Sequence, residues 1–394
     1  MLNQKNLRTS PRDLINFISI LALSISLGAC GSANNTADTG QGQGQSGTAE
    51  QTPAAAGGDS LAKALALAQP VRLTGAGASF PYPLYSNWFV QLNQEVPDLQ
   101  VNYQSVGSGA GVEQFIQGTI NFGASDVAMK DEEIAKVQRG VLTLPMTAGA
   151  IVLAYNIPGV QGELKLSRDT YVGIFLGEIT NWNDPKIAKD NPDVKLPDLP
   201  ITVVHRADGS GTTAVFTQHL SAISDNWKSK IGAGKTVQWP KTGKFIGAKG
   251  NEGITASIQQ NQGSIGYVEA GYAKNNKLSV ASLQNKAGQF VAPTEESEAA
   301  TLASVTLPEN LRAFITDPEG EKSYPIVTYT WMLVYKKYDD PNIAKGIEGM
   351  IQYGLTQGQK SSAELGYIPL PQNVVEKVAA AADQISPDFQ IKVK

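Results

Sequence analysis

The sequence predicts an α/β protein, and three observations carry that prediction. Three times a short β-rich run leads into a Gly/Ser turn and then into apolar residues at helical spacing, with the turns centred on Ser79, Ser108 and Ser210. About 320 residues beyond Val71 have ordinary globular composition, enough for two domains. Two extended apolar runs, 150–155 and 325–335, stand far apart in the chain. Both would cross between two lobes if the chain between them were an inserted central domain.

The amino-terminal segment lies outside that fold. Lys5, Arg8 and Arg12 make a basic region, followed by an apolar run over 14–27 that ends Leu27-Gly28-Ala29-Cys30. Fourteen residues broken by Asn16 and serines are too few to cross a bilayer core, which needs roughly 20. Residues 1–29 therefore read as a signal peptide. The Leu-Gly-Ala-Cys ending resembles a bacterial lipobox, in which Cys30 becomes a lipidated first residue; the other reading is a secreted protein with an incidental cysteine. Cys30 is the only cysteine, which excludes an intramolecular disulfide. Residues 30–60 are small and polar, with no aromatic between Phe17 and Phe80, and read as a flexible tether. The chain has net charge −4; Lys5, Arg8, Arg12 and Asp13 contribute +2, so the part after residue 29 is −6. The absence of any basic block argues against nucleic acid as a partner.

The organised part opens with a strand at Val71-Arg72-Leu73-Thr74 and the turn Gly75-Ala76-Gly77-Ala78-Ser79-Phe80. Pro81 suits a first helical position, and Leu84, Trp88 and Leu92 recur on one helix face. A second strand, Leu99-Gln100-Val101-Asn102-Tyr103, runs into Gly107-Ser108-Gly109-Ala110-Gly111 and a helix marked by Val112, Phe115 and Ile116. Next comes the strand Ile120-Asn121-Phe122-Gly123, with Asp126 just beyond its carboxyl end. In open α/β sheets that end faces the ligand crevice. Asp126 thus reads either as a site residue or as a solvated or capping Asp ahead of a helix over 131–137. Further helices are expected over 166–175, 343–358 and 374–385. Strands are expected over 150–155 and, in two pieces, over 325–329 and 330–335.

The turn Arg206-Ala207-Asp208-Gly209-Ser210-Gly211-Thr212 follows the β-branched run Ile201-Thr202-Val203-Val204. A helix start offers unpaired N–H groups and a positive dipole end, which favour an anion. Ser210 and Thr212 add hydroxyl donors, Arg206 adds a permanent charge, and Asp208 is placed to hold Arg206. One such turn alone reads more readily as an ordinary capped βα turn; three together favour a binding site.

Several chemistries are missing. The two histidines, His205 and His219, and the lone cysteine cannot build a His/Cys metal cluster. His205 alternates with Arg206 and is expected on the opposite face of its strand. There is neither a Gly-x-Ser-x-Gly elbow nor a nucleotide P-loop, and Asp208 is poorly placed to act as a base for Ser210. The set of donors with nothing to react reads as a binding protein without catalysis or cofactor.

These turns, with Phe122-Gly123-Ala124-Ser125-Asp126, resemble those of the PstS family, periplasmic phosphate-binding proteins of the phosphate-specific ABC transporter. The likeness runs from about Val71 to Ser386 and includes Lys249-Gly250-Asn251-Glu252-Gly253 and Ile265-Gly266-Tyr267-Val268-Glu269. It implies a two-lobe periplasmic-binding-protein fold, each lobe a mixed sheet flanked by helices, with a two-segment hinge. Residues 71–147 and 325–394 would form one lobe and 148–324 the other, closing on one inorganic phosphate.

By the same resemblance, Ser79 and Ser108 would donate hydroxyls and Phe80 a backbone N–H. Asp126 would accept the phosphate's own proton, and Arg206 would pair with an oxygen while held by Asp208. Ser210, Gly211 and Thr212 would add backbone and hydroxyl donors. Ser79 departs from a common Thr and Ala110 from a usual Gly, and neither change removes a donor. The implied partners are permease and ATPase subunits of a phosphate ABC transporter and, through lipid on Cys30, the cell membrane; the protein is expected to be a periplasmic monomer. A secreted phosphatase on the same scaffold, or a binder of another tetrahedral oxyanion such as sulfate, stays as the alternative.

Overall fold

In the computed structural model, residues 60–160 and 162–393 are described. The expected signal peptide over 1–29, Cys30 and almost all of the tether lie outside the described residues. Ser60 caps a short helix, Leu61–Leu65, accepting the Lys63 N–H at 3.4 Å. The described residues belong to one compact unit.

Twelve strands are present among the described residues: β1 (Val71–Gly77), β2 (Leu99–Ser105), β3 (Phe122–Ser125), β4 (Val141–Asn156), β5 (Lys165–Leu166), β6 (Thr202–Arg206), β7 (Lys244–Ala248), β8 (Ser264–Glu269), β9 (Ser279–Val280), β10 (Ser282–Gln284), β11 (Phe290–Val291) and β12 (Val327–Tyr335). Eight of them form the continuous order β2-β1-β3-β12-β4-β8-β6-β7; β9 pairs with β4, and β11-β10-β5 make a small separate sheet. In the first half β1 lies parallel between β2 and β3, and β12 runs antiparallel to β3 and β4. In the second half β6 lies parallel between β7 and β8.

The long β4 joins these halves. Its residues 141–150 pair with β12, and residues 151–156 pair with β8. Nearly every residue of β4 is buried, which its continuous apolar sequence permits because both faces are covered. Beside it, Ile151 N–H donates to the Ile326 carbonyl at 2.9 Å, so the second extended run crosses at the same place. This is a two-lobe α/β architecture with mixed sheets and flanking helices.

Apolar periodicity places the helices that carry the site. Tyr82–Glu95 buries Leu84, Tyr85, Trp88, Phe89 and Leu92, and Trp88 Nε1 donates to Gly358 O at 2.8 Å. Ser108–Gln117 packs on β1 and β3, while Gly250–Gln260 packs on β8 and β6.

Some boundaries differ from the sequence reading. The helix expected over 166–175 is Arg168–Phe175, because Leu166 pairs in β5 and Ser167 N–H is taken by Asp190 Oδ2 at 2.7 Å. The helix over 131–137 stops at Ile134, where the chain tightens into turns closed at Val137 and Gly140. The pieces 325–329 and 330–335 merge into the single strand β12, which begins only at Val327 and has a bulge between Thr330 and Trp331. The late helices are Pro341–Leu355, continued by a 3-10 turn over Gln357–Ser361, and Gln372–Ala382.

Candidate functional site

Four turns meet at the junction of the two halves, each at the carboxyl end of a parallel strand. β1 delivers Ser79 and Phe80, β2 delivers Ser108, β3 delivers Asp126, and β6 delivers Arg206 and the 208–212 turn. This is the edge where open α/β sheets bind ligands. Ser79, Phe80, Ser108, Asp126, Arg206, Ser210 and Thr212 are all at most 4% exposed. The turns touch across the junction: Gly109 N–H donates to Gly209 O at 2.7 Å.

Two glycines make that approach possible. Gly107 has φ +87°, and a Cβ there would stand 2.4 Å from Asp208 Oδ2. A Cβ on Gly211 would stand 2.4 Å from Ser108 Oγ and 2.8 Å from Asp126 Oδ2. Both exclusions arise between halves, so larger residues would hold the turns apart.

The hydroxyl groups share a pattern. Ser79 Oγ accepts from Asn251 N at 3.0 Å and from Asn251 Nδ2 at 2.9 Å. Ser108 Oγ accepts the Asp126 N–H at 3.3 Å, and Ser210 Oγ accepts the Thr213 N–H at 3.0 Å as an N-cap. Each oxygen is used as an acceptor by the scaffold, which leaves its proton to be donated elsewhere. The N–H groups of Ser79, Phe80, Ser108 and Gly211 have no hydrogen-bond acceptor among the described residues. Ser210 differs from the expectation: its N–H is spent on Lys235 O at 2.8 Å, so it offers the hydroxyl alone.

Arg206 is fixed from two sides. Its Nε donates to Asp208 Oδ1 at 2.7 Å and its Nη2 to Asp208 Oδ2, while its own N–H donates to the Tyr267 hydroxyl at 3.0 Å. Burial works against the guanidinium charge, but the Asp208 carboxylate outweighs it and raises the Arg206 pKa. Burial likewise opposes ionisation of Asp208, and Arg206 reverses this to hold it below the usual carboxylate range. Asp208 also accepts the Gly250 N–H at 3.2 Å.

Asp126 is the acidic residue in this ring of donors. Thr330 donates to its Oδ1 at 2.6 Å and Thr212 to its Oδ2 at 3.2 Å, and Thr328 donates to its backbone carbonyl at 3.1 Å. Burial pushes its pKa up to about 6 against the opposing pull of Thr330, Arg206 and Thr212. It is neither a solvated loop residue nor a cap; Lys130 occupies the N-cap of Asp131–Ile134. His205 stacks on Trp239 at 4.9 Å and His219 is buried against Tyr171, both outside the donor ring. Among the described residues no group of three or more His, Cys, Asp or Glu could hold a metal ion.

Sequence reasoning did not single out Asn251, Thr330 or Tyr267. Thr330 looks like any β-branched strand residue. Asn251 opens the Gly250–Gln260 helix from a Gly-Asn pair, which was a usable signal of the same kind as the three serine turns. Chemically, the arrangement offers a dry cluster of N–H, O–H and guanidinium donors around one carboxylate. It suits an oxyanion that carries a proton.

Comparison with known proteins agrees with the geometry. A PBP superfamily domain matches residues 35–357. A phosphate-binding protein PstS of Pasteurella multocida is 45% identical over 79% of this chain and 90% of its own length. One from Haemophilus influenzae is 44% identical over 80% and 93%. Among solved structures, a high-affinity periplasmic phosphate-binding protein bound with phosphate aligns with TM-score 0.67 at 19% identity, over 82% of this chain and 96% of its own, a likeness of fold. By the family domain, and by identity across most of its length, the chain belongs to the PstS family of phosphate-binding proteins.

Proposed function

We propose that this chain binds one inorganic phosphate between its two halves and delivers it to an ABC transporter for import. The relatives it matches are named for phosphate binding. The observation that carries the reading is the pairing of a donor ring with a single buried acceptor, Asp126, because phosphate near neutral pH is an anion that still has a proton to donate. Ser79, Phe80, Ser108, Arg206, Ser210 and Gly211 supply donors, Thr212 gives its hydroxyl to Asp126 at 3.2 Å and so sets the carboxylate toward the anion, and Asp208 holds Arg206 in place. No covalent step is involved and no cofactor takes part.

The overall charge does not oppose this. Donors and dipoles a few Å from the anion outweigh acidic side chains beyond the Debye length, about 8–10 Å in ordinary salt. Excluding water strengthens each charge-assisted bond. Micromolar affinity requires only about −8 kcal/mol, within reach of such a set after ordering costs.

The remaining assignments belong to the same reading. Residues 71–147 with 325–394 form one lobe and 148–324 the other. Residues 1–29 are removed as a signal peptide, and Cys30 carries the lipid that keeps a periplasmic monomer at the membrane, near its permease and ATPase partners. Calorimetric titration of the purified protein with phosphate and sulfate in parallel tests the core of the proposal. Tight phosphate binding with weak sulfate binding is expected. Absence of phosphate binding, or turnover of a phosphate ester, would overturn it.

A further inference from the structure

Both acceptor groups of Ser79 are filled from the other half of the molecule. Asn251, fully buried at the start of the Gly250–Gln260 helix, gives its N–H and its Nδ2 to Ser79 Oγ at 3.0 and 2.9 Å. The amide orientation is fixed by chemistry, since Asn251 Oδ1 accepts the Glu269 N–H at 3.0 Å and only oxygen can do that. The Tyr272 hydroxyl, on the helix after β8, donates to Ser79 O at 2.8 Å, and Tyr82 N–H shares that carbonyl at 3.2 Å. Burial raises the Tyr272 pKa, which keeps its hydroxyl a neutral donor.

Two consequences follow for the anion site. With both lone pairs of Ser79 Oγ occupied, its proton has only an outside acceptor to serve. The Ser79 carbonyl and the Phe80 N–H belong to one planar trans peptide and point in opposite directions. Tyr272 therefore fixes the direction of the Phe80 N–H, and its hydrogen bond polarises the same amide.

Resting on the phosphate reading above, we propose that Asn251 and Tyr272 are positioning residues which, as the halves meet, occupy the acceptors of Ser79 and so commit the Ser79 hydroxyl and the Phe80 N–H to the anion. Neither residue touches phosphate. Tyr272 acts through residues 79 and 80, Asn251 acts mainly through Ser79 while its Nδ2 also reaches Thr212 Oγ1 at 3.3 Å, and each links lobe closure to donor strength.

A double-mutant cycle in the full-length protein tests this, read by calorimetric titration with inorganic phosphate. Asn251→Leu should weaken binding about threefold to tenfold, as for loss of one oriented hydrogen bond. In the Ser79→Ala background the same change should cost clearly less, because the Ser79 hydroxyl is gone and only the longer Nδ2 contact to Thr212 Oγ1 is left to lose. Equal losses in both backgrounds would make Asn251 a merely structural residue and overturn its half of the proposal. If Asn251→Leu fails to fold, Asn251→Asp takes its place in the cycle. It keeps the shape but turns the donor into an acceptor that competes for the Ser79 proton, with the same non-additivity expected. Tyr272→Phe removes a single oxygen and should weaken phosphate about threefold in both backgrounds, since it acts through the backbone N–H; unchanged affinity would overturn that half. Failure of the wild-type titration would instead reject the phosphate reading itself.

Discussion

The Thr212 hydroxyl reaches Asp126 Oδ2 across the junction between the halves at 3.2 Å, so one carboxylate is gripped from both lobes. Thr330 holds the other oxygen at 2.6 Å from β12, the strand that runs beside the crossing segment. The two hydroxyls orient a buried charge without neutralising it, and Arg206 is the cation that lowers its pKa. The lobes thus meet around a group whose protonation state matters.

This makes stability depend on pH in a defined window. Asp126 has a pKa near 6 in the folded chain, against 3.8 for an unperturbed Asp. Between those values the folded state holds the proton more tightly, so the stabilisation is complete below about 3.8 and is lost as pH rises through about 6. In phosphate-free buffer, denaturant unfolding of wild type and Asp126→Asn at pH 4 and pH 7 should reveal it. Wild type should lose roughly 2–3 kcal/mol relative to the variant over that interval. A constant difference between the two proteins would mean that Asp126 titrates normally.

Arg206 should matter for binding about as much as one charge-assisted bond. Removing one partner of a buried charged pair costs roughly 3–5 kcal/mol, but here several donors share the anion. Arg206→Ala is therefore expected to weaken phosphate binding by about 1.5–3 kcal/mol, the range for one charge-assisted bond. Asp208→Asn should do less, because the guanidinium keeps its charge and loses only its brace. Titration of both variants checks the ranking, and Arg206→Ala with wild-type affinity would place the guanidinium away from the anion.

The strand–turn–helix units were legible because each has a local signature: β-branched residues, small turn residues, then helical periodicity. Asp208 as the brace of Arg206 could be read from a two-residue spacing. The contacts made by Asn251, Thr330 and Tyr272 could not. They lie 172, 204 and 193 residues from the groups they hold, and such separations leave no periodicity to detect. The bulge at Thr330/Trp331 was hidden for a similar reason, since it is set by pairing with β4 and not by its own sequence. The helix boundaries at Arg168 and Ile134 were misplaced because the strand pairing of Leu166, together with the distant Asp190 acceptor, decided the first and tight turns decided the second.

The proposed lipid anchor makes a separate prediction. Cys30→Ser should move the protein from the membrane to the soluble fraction with phosphate affinity unchanged. A lipoprotein cysteine with more than one acyl chain anchors stably, whereas a single chain binds only marginally. Fractionation of cells followed by titration of both forms checks it. Wild-type protein already soluble after signal removal would reject lipidation.

In the proposed reading, selectivity between phosphate and sulfate rests on Asp126. A carboxylate can only accept hydrogen bonds. Phosphate near neutral pH brings a proton to meet it, whereas sulfate brings only further acceptors. The sulfate complex would bury two facing acceptors of like charge, with Thr330 and Thr212 holding the carboxylate so that it cannot turn aside. Sites built around one such bond reject an analogue lacking it by about 10⁴–10⁵-fold. Asp126→Asn keeps the shape, retains one acceptor, adds N–H donors and removes the repelling charge. The variant should keep substantial phosphate binding while its preference over sulfate shrinks by at least about tenfold, the equivalent of 1.4 kcal/mol. Parallel titration of both anions into wild type and variant measures that ratio. If wild type takes sulfate as readily as phosphate, or the Asn variant excludes sulfate as strongly as wild type does, discrimination comes from cavity shape and not from the carboxylate.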